Sequence, residues 1–341
     1  MLNRKHFVAR LRRCISIVFH VIIPNWRHLK AKLQLIFSTY KLFAPDKNTA
    51  KERRIIRLHI NGGSDSPGLA DRMKAYVSTY IIAEESGYKF YLYHDCGFQL
   101  DDYLEPNEVD WRIEKNNINF GIRHFKILWS ASHIKPLNPR ILEYHTHFYQ
   151  DVISNLPDEL KDKYSMYEVF NRLFKPTSYL TSLLEKAFQS LKLSENAYIA
   201  VHCRFLDFFE AVEHKSDEYP FMKHASDEEQ MSMIRSVHKT LDIIHYENMG
   251  KPILLFSDSS KFLNSDHQEF IRTVNGKVGH IFTHSGDKNV IDKAFVDMFL
   301  MSKANKVYNI IGPGTLASGY SQQAALIGNK PFERIERIMP S

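Results

Sequence analysis

The stretch YIAVHCRFLDFFEA, residues 198–211, leads an apolar strand directly into charged side chains. Four strand-forming residues are followed at once by His202, Cys203 and Arg204, and Asp207 and Glu210 come soon after. The apolar run is typical of a buried strand in a parallel sheet. Ligands of such sheets bind beyond the carboxyl ends of the strands, which is where these charged side chains would lie. Alternation along the strand should turn the Cys203 side chain into the core, so we do not expect it to act as a nucleophile.

Strand and helix patterns alternate on both sides of this stretch. The upstream part predicts a strand at 54–60, a glycine-rich turn at 61–68, a helix from Leu69 that Gly87 ends, and a strand at 88–94. In the middle we predict helices near 146–156 and 178–192. Downstream, Ser226 and Glu229 have the spacing of a capping box at the start of a helix. The remaining downstream predictions are strands at 252–258, 279–284 and 306–311, a helix at 290–303 and a final helix after the turn at 312–314.

These repeats predict an α/β fold with two Rossmann-like domains that face each other across a cleft. A chain of 341 residues is longer than a single core usually grows, which also favours two domains. We place the domains at 55–193 and 194–341, after a basic arm and linker at 1–54.

The positive charge is confined to that arm. Residues 1–54 contain 13 Lys and Arg against 2 Asp and Glu, whereas the rest of the chain contains 32 against 37. An acidic globule with a basic arm argues against a nucleic-acid partner. The three cysteines have neither disulfide-framework nor zinc spacing, which favours a reducing compartment.

The arm has the character of a membrane-surface helix. Residues 14–23 are mostly apolar but too few to span a bilayer, which needs about 20 residues, and basic side chains flank them. Such a segment can lie in an anionic membrane surface, so residues 1–45 predict a peripheral protein on the cytoplasmic face of the cytoplasmic membrane. The alternative is a basic tail without a partner.

Polar residues follow three predicted strands of the second half. The first strand leads to His202, Arg204 and Asp207, the second to Asp258, and the third to two glycines and then Ser318 and Ser321. An arginine, small hydroxyls and a helix N-terminus suit a diphosphate, and an acidic residue suits a guanine edge or ribose hydroxyls. Each residue also has a structural alternative: Arg204 could pair with Asp207, Asp258 and Ser318 could cap helices, and His202 could belong to the core.

Four segments resemble a known family. VHCRFLD (201–207) resembles the H-x-R-x-x-D motif of the fucosyltransferase superfamily, which includes the α1,2-, α1,6- and protein O-fucosyltransferases and the nodulation fucosyltransferase. Residues 68–92 are similar to its glycine-led first helix and second strand, and LLFSDSS (254–260) resembles its middle motif. Residues 306–332 resemble its closing segment. The resemblance spans about 55–333 in the same order.

The resemblance implies a GT-B glycosyltransferase that uses GDP-fucose, inverts the anomeric carbon and needs no metal or other cofactor. The chain has no D-x-D triplet, which agrees with the last point. It further implies a glycan or glycolipid acceptor. By match to the motifs, Arg204 would hold the β-phosphate of the donor. His202 and Asp258 would contact the nucleoside, and Ser318 and Ser321 the diphosphate. Gly68 and Arg72 would shape the cleft from the other domain.

Two departures from the family leave questions open. Many members have a second arginine directly after the motif arginine, where this chain has Phe205, so another basic residue, for example Arg72, must compensate or the donor differs. An α1,6-type member has its proposed catalytic base, a glutamate, ten residues after the motif histidine, where this chain has Val212. Glu210 and Glu213 flank that position and are candidates for the base, and Asp207 is the third candidate. The alternatives are a GT-B transferase with another donor, such as ADP-heptose, and a nucleotide-sugar-binding protein without activity.

Overall fold

The computed structural model describes residues 33, 36–41, 54–61, 68–147, 150–210, 225–279, 281 and 286–339. The chain divides into two compact units, Met1–Lys51 with Asn116–Lys126, and Glu52–Lys115 with Ile127–Ser341. In the first unit, the Tyr40 ring packs against Phe125 at a centroid distance of 4.6 Å, and the Lys41 N–H donates to the Phe120 carbonyl. Most of the predicted basic arm lies outside the described residues.

The second unit begins with a parallel sheet. Its first strand pairs in parallel with the second and with the fifth, and Gly87, at φ +70°, follows the helix between the first two strands, as predicted. The elements of this half are, in chain order, β1 (Ile55–Asn61), α1 (Leu69–Glu85), β2 (Lys89–Asp95), β3 (Leu104–Pro106), β4 (Lys126–Ile127), β5 (Glu143–Thr146), α2 (Asp158–Lys161), α3 (Met166–Leu173), β6 (Phe174–Pro176) and α4 (Ser178–Leu191).

The predicted helix at 146–156 is wrong, whereas the one at 178–192 is confirmed as α4. Residues 143–146 form the strand β5, and 153–155 form a single 3-10 turn. The backbone N–H groups of Val152 and Ile153 donate to the Ser78 hydroxyl of α1, at 3.0 and 3.2 Å. A tertiary contact therefore satisfies donors that a helix would have used, and local periodicity could not reveal it.

The second parallel sheet has the strand order β11-β10-β7-β8-β9. Its elements are β7 (Ile199–Cys203), α5 (Asp227–Glu247), β8 (Ile253–Ser257), α6 (Ser260–Leu263), β9 (Ile271–Thr273), α7 (Lys288–Ser302), β10 (Lys306–Ile311), α8 (Gly319–Ile327) and β11 (Phe332–Glu336). The predicted capping box of α5 is present, because the Ser226 and Glu229 side chains each accept from the other residue's backbone N–H. The predicted strand at 279–284 lies mostly outside the described residues, and the sequence did not reveal the two outer strands β9 and β11.

The two sheets share buried hydrophobic side chains. One core cluster includes Leu58 and Met73 of the first half together with Phe256 and Phe295 of the second, and α1 packs against α8. The boundary at 193/194 stays a prediction. None of the helices in the described part of the chain is long and apolar enough to cross a membrane.

Candidate donor-binding site

Three adjacent strand ends form the candidate site. In the second sheet β7 lies between β8 and β10, and all three strands are parallel, so their carboxyl ends meet at one edge. Hydrogen bonds then tie the following segments together: the Leu316 N–H, after β10, donates to the Arg204 carbonyl at 2.8 Å, and the Phe205 N–H donates to the Asp258 carboxylate at 2.8 Å. The structure thus brings together the polar residues that the sequence placed at three separate positions.

Asp258 holds the segment that carries Arg204. Its Oδ1 accepts from the Phe205 N–H and its Oδ2 from the Leu206 N–H at 3.0 Å, and the Arg204 Nε lies 3.8 Å from Oδ2. Leu206 has φ +50°, a conformation that non-glycine residues rarely adopt, so these bonds help to fix a strained turn. Burial raises the pKa of Asp258 to about 6, although the two N–H donors and Arg204 oppose this shift.

Replacement of Asp258 by asparagine is expected to change how stability depends on pH. The raised pKa means that the folded protein binds the Asp258 proton more tightly than the unfolded chain does. Protonation of Asp258 therefore stabilises the fold, and this stabilisation is lost as the pH rises through about 6. The asparagine variant lacks this titration and should be less stable than wild type by an amount that shrinks by up to about 2 kcal/mol between pH 4.5 and 7.5. Urea unfolding of both proteins at each pH measures the difference in the free energy of unfolding. Buried histidines are present in both proteins, so their contribution to the pH dependence cancels in this difference. A difference that stays constant or grows with pH would contradict the raised pKa.

Phe205 explains why this chain lacks a second arginine after Arg204. Its side chain is fully buried, with ring centroids 4.8 Å from both Phe209 and Phe262. The position therefore anchors the turn in the core and contributes no charge to the site. Any second cation must come from another element.

His202 is a buried neutral imidazole at the end of β7. Burial, followed by the charges of Arg204 and Lys293, lowers the pKa of His202 to about 3. Its Nδ1 has no hydrogen-bond partner in the described part of the chain. A buried polar atom without a partner is costly, so Nδ1 is a candidate contact for a bound group.

Asn309, in the middle of β10, joins His202 to the start of α8. Its Nδ2 donates to the His202 carbonyl at 3.0 Å, and its Oδ1 accepts from the Ser318 N–H at 2.9 Å. The Ser318 hydroxyl accepts from the Tyr320 N–H and so caps the helix, whereas the buried Ser321 hydroxyl has no hydrogen-bond partner among the described residues. The motifs in the sequence do not include Asn309, although a polar residue within the apolar strand KVYNII is a signal that points to it.

The turn between β10 and α8 requires glycine. Gly312 and Gly314 have φ of +146° and +77°, and a Cβ on Gly314 would lie 2.8 Å from the Met233 Cε and 3.1 Å from the Phe208 Cε2. At position 314 the backbone can pack this closely on Met233 and Phe208 only without a side chain. The turn leads directly into the N-terminus of α8, an end of a helix that favours negatively charged groups.

The three candidate bases lie in different surroundings. The Glu210 carboxylate accepts from the Ser259 hydroxyl at 2.8 Å and from the Lys261 N–H at 3.0 Å, a capping arrangement at the start of α6. Asp207 is half-buried in the turn after Arg204. Glu213 lies outside the described residues. The identity of the base stays a prediction.

Gly68 and Arg72 mark the start of α1. The Arg72 N–H donates to the Gly68 carbonyl, and the buried Arg72 side chain reaches the His94 Nε2 at 3.1 Å and the face of Phe98. Helix α1 of the first half packs against α8, the helix that Ser318 caps and that contains Ser321. The role of Arg72 toward the donor stays a prediction.

A cavity of about 500 Å³ lies between α4, α7 and the segment after β9. Lys186 and Lys293 line it together with Asn275 and Asp292. Lys293 pairs with Asp297 of the same helix, and its charge is one of the causes that lower the pKa of His202.

Two solved structures share this fold. The fucosyltransferase NodZ from Bradyrhizobium, solved with selenomethionine, aligns with a TM-score of 0.51 at 13% identity over 81% of this chain and 92% of its own. FUT1 from Arabidopsis thaliana, solved as a mutant in complex with GDP, aligns with a TM-score of 0.52 at 13% identity over 86% of this chain and 73% of its own. The expected GT-B-like α/β fold is confirmed. No family model matches the chain, and no curated protein matches it.

Proposed function

We propose that the chain is an inverting, metal-independent glycosyltransferase that transfers fucose from GDP-fucose to a cell-surface glycan or glycolipid. The observation that carries the proposal is that β7, which contains His202 and leads into Arg204, pairs with β10, which leads into α8 and Ser321, while His202 Nδ1 and Ser321 Oγ are buried without partners in the described part of the chain. A donor with a diphosphate and a nucleoside offers groups for all three. The shared fold with FUT1, whose structure contains GDP, supports the same donor class.

In this proposal each side chain has a separate task. Arg204 and the N-terminus of α8, with Ser318 and Ser321, hold the diphosphate through charge-assisted hydrogen bonds. His202, as a neutral imidazole, contacts the nucleoside. Asp258 holds the Arg204 segment in place and adds a contact to the nucleoside, and Gly68 and Arg72 close the cleft from the first half.

The reaction needs a base, a cation and alignment. A base removes the proton of the acceptor hydroxyl, the new bond forms at the anomeric carbon, and the bond from that carbon to the β-phosphate oxygen breaks as GDP leaves. Arg204 stabilises the negative charge that develops on the departing diphosphate. We place the base among Asp207, Glu210 and Glu213. The Glu210 carboxylate would have to give up its two hydrogen bonds at the start of α6 to act as this base.

GDP is expected to stabilise the protein more than UDP, ADP or CMP does. A ligand that binds only the folded state at 100 times its Kd adds about 2.7 kcal/mol to the free energy of unfolding. Thermal unfolding with each nucleotide measures this, and GDP release from GDP-fucose then separates an enzyme from a binding protein without turnover. A larger shift with ADP would instead support an ADP-heptose-type donor, and no shift with any nucleotide would contradict the proposal.

We further propose that residues 1–45 hold the enzyme at an anionic membrane surface on the cytoplasmic side. The support is the sequence alone: a charge of +11 in residues 1–54, −5 in the rest, and an apolar stretch at 14–23. Each basic side chain near such a surface contributes about 1 kcal/mol of attraction.

Deletion of residues 1–45 is therefore expected to release the protein from anionic vesicles and to leave activity on a soluble acceptor analogue. Binding of the full chain should weaken as salt rises from 0.1 M to 1 M, because the Debye length falls from about 10 Å to about 3 Å. Vesicle flotation at both salt concentrations measures this, with neutral vesicles as the control. Retention of the shortened protein at high salt would show that the globule itself binds the membrane.

A further inference from the structure

Arg337 is a buried guanidinium at the end of the last strand. It follows β11 directly, and its N–H donates to the Ile311 carbonyl at 2.9 Å, which places it at the carboxyl edge shared with β10 and β7. Only 7% of the residue is exposed. Because the sequence did not reveal β11, it gave no reason to consider this arginine.

The positive charge of Arg337 has no acidic partner in the described part of the chain. Its Nη1 and Nη2 donate to the sulfur atoms of Met233 and Met339, at 2.8 and 3.3 Å, and its Nε has no acceptor there. A thioether is a weak acceptor, so these contacts compensate a buried cation poorly. Burial lowers the pKa of Arg337 accordingly, yet arginine stays protonated in proteins. A buried cation without an acidic partner in the described ranges is a candidate to face an anion that a ligand supplies.

The glycine turn lies directly against this guanidinium. A Cβ added to Gly312 would be 3.7 Å from the Arg337 Cζ and 3.8 Å from its Nη1, and Met233 connects Arg337 to Gly314. The turn leads into the N-terminus of α8, and the Leu316 N–H just beyond it donates to the Arg204 carbonyl. Arg337 and Arg204 therefore lie at the same edge of the sheet, and the glycine turn contacts both the Arg337 side chain and the segment after β7.

We propose that Arg337 is a positioning residue that supplies, through the glycine turn 312–314, the second positive charge for the diphosphate of the donor. This inference rests on the proposed function and extends it. It also accounts for Phe205: the turn after β7 uses that position for core packing, and the neighbouring strand β11 provides the cation instead.

Four variants test the inference. Arg337→Met and Arg337→Gln remove the charge, Arg337→Lys retains it, and Arg334→Met removes an exposed arginine from the same strand as a matched control. Binding of GDP, guanosine and inorganic pyrophosphate is measured by calorimetry on the full chain, together with thermal unfolding without ligand.

We expect Arg337→Met and Arg337→Gln to raise the Kd of GDP and pyrophosphate about tenfold and to leave that of guanosine unchanged. Arg337→Lys should recover most of the loss, and Arg334→Met should bind like wild type. Arg337→Met should unfold at a temperature equal to or above that of wild type, because it replaces a buried charge that has no acidic partner among the described residues with an apolar side chain. A purely structural role predicts the reverse, namely lower stability and equal losses for guanosine and GDP.

The outcomes separate this inference from the proposed function. Unchanged GDP affinity in both neutral variants, or an equal loss in Arg334→Met, overturns the role of Arg337 and leaves the donor proposal intact. If wild type binds pyrophosphate and a different nucleoside diphosphate, the GDP assignment is wrong, and that nucleotide replaces GDP in the same comparison. If wild type binds no diphosphate, both proposals are wrong.

Discussion

Arg204→Ala is expected to lower kcat/KM for fucosyl transfer by at least about 100-fold, which corresponds to about 2.7 kcal/mol of transition-state stabilisation. The guanidinium is about one-quarter exposed at the end of β7, where the diphosphate is proposed to bind. Negative charge on the diphosphate increases as the bond to the sugar breaks, so the missing cation should affect the transition state more than the ground state. GDP release from GDP-fucose with a soluble acceptor measures the effect.

The fold should tolerate this substitution. The Arg204 carbonyl still accepts from the Leu316 N–H, and Asp258 still accepts from the Phe205 and Leu206 N–H groups. Arg235→Ala, on the exposed side of α5, serves as the control for loss of one positive charge. If Arg204→Ala turns over at a near-normal rate while it unfolds at a lower temperature, Arg204 is a structural partner of Asp258 and the mechanism is wrong.

Glu143→Leu is expected to lower the free energy of unfolding by about 3–5 kcal/mol. Glu143 is 1% exposed in β5, and its Oε1 lies 2.8 Å from the Arg57 Nη1 of β1 and 2.6 Å from the His145 Nε2. The substitution removes the carboxylate that compensates a buried guanidinium between two paired strands. Urea unfolding of wild type and variant measures the loss.

The double variant Arg57→Met, Glu143→Leu separates the charge from the packing. It removes both members of the pair, so most of the lost stability should return, although His145 still lacks its carboxylate acceptor. A double variant that is as unstable as the single one would show that shape, and not an uncompensated charge, determines the cost.

Local patterns in the sequence were sufficient for most elements near the site. The apolar run before His202 predicted β7, and the spacing of Ser226 and Glu229 predicted the start of α5. These predictions succeed because strand alternation and helix capping depend on residues that are close together in the chain. The position of Arg204, Asp258 and Ser318 at one edge followed from a general property of parallel sheets.

The tertiary structure decided the roles of side chains whose partners are distant in sequence. Glu210 accepts from the start of α6 about fifty residues away, Ser78 takes the backbone donors at 152–153, and Arg337 reaches the glycine turn through a strand that the sequence did not reveal. By itself the sequence determined the alternating α/β order, the strand ends that carry polar residues, and the division between a basic N-terminal segment and an acidic remainder. Which polar side chains cap helices, which stay without partners and where the second cation lies depend on packing between distant segments, because hydrogen bonds and buried charges are satisfied in space and leave no fixed spacing along the chain.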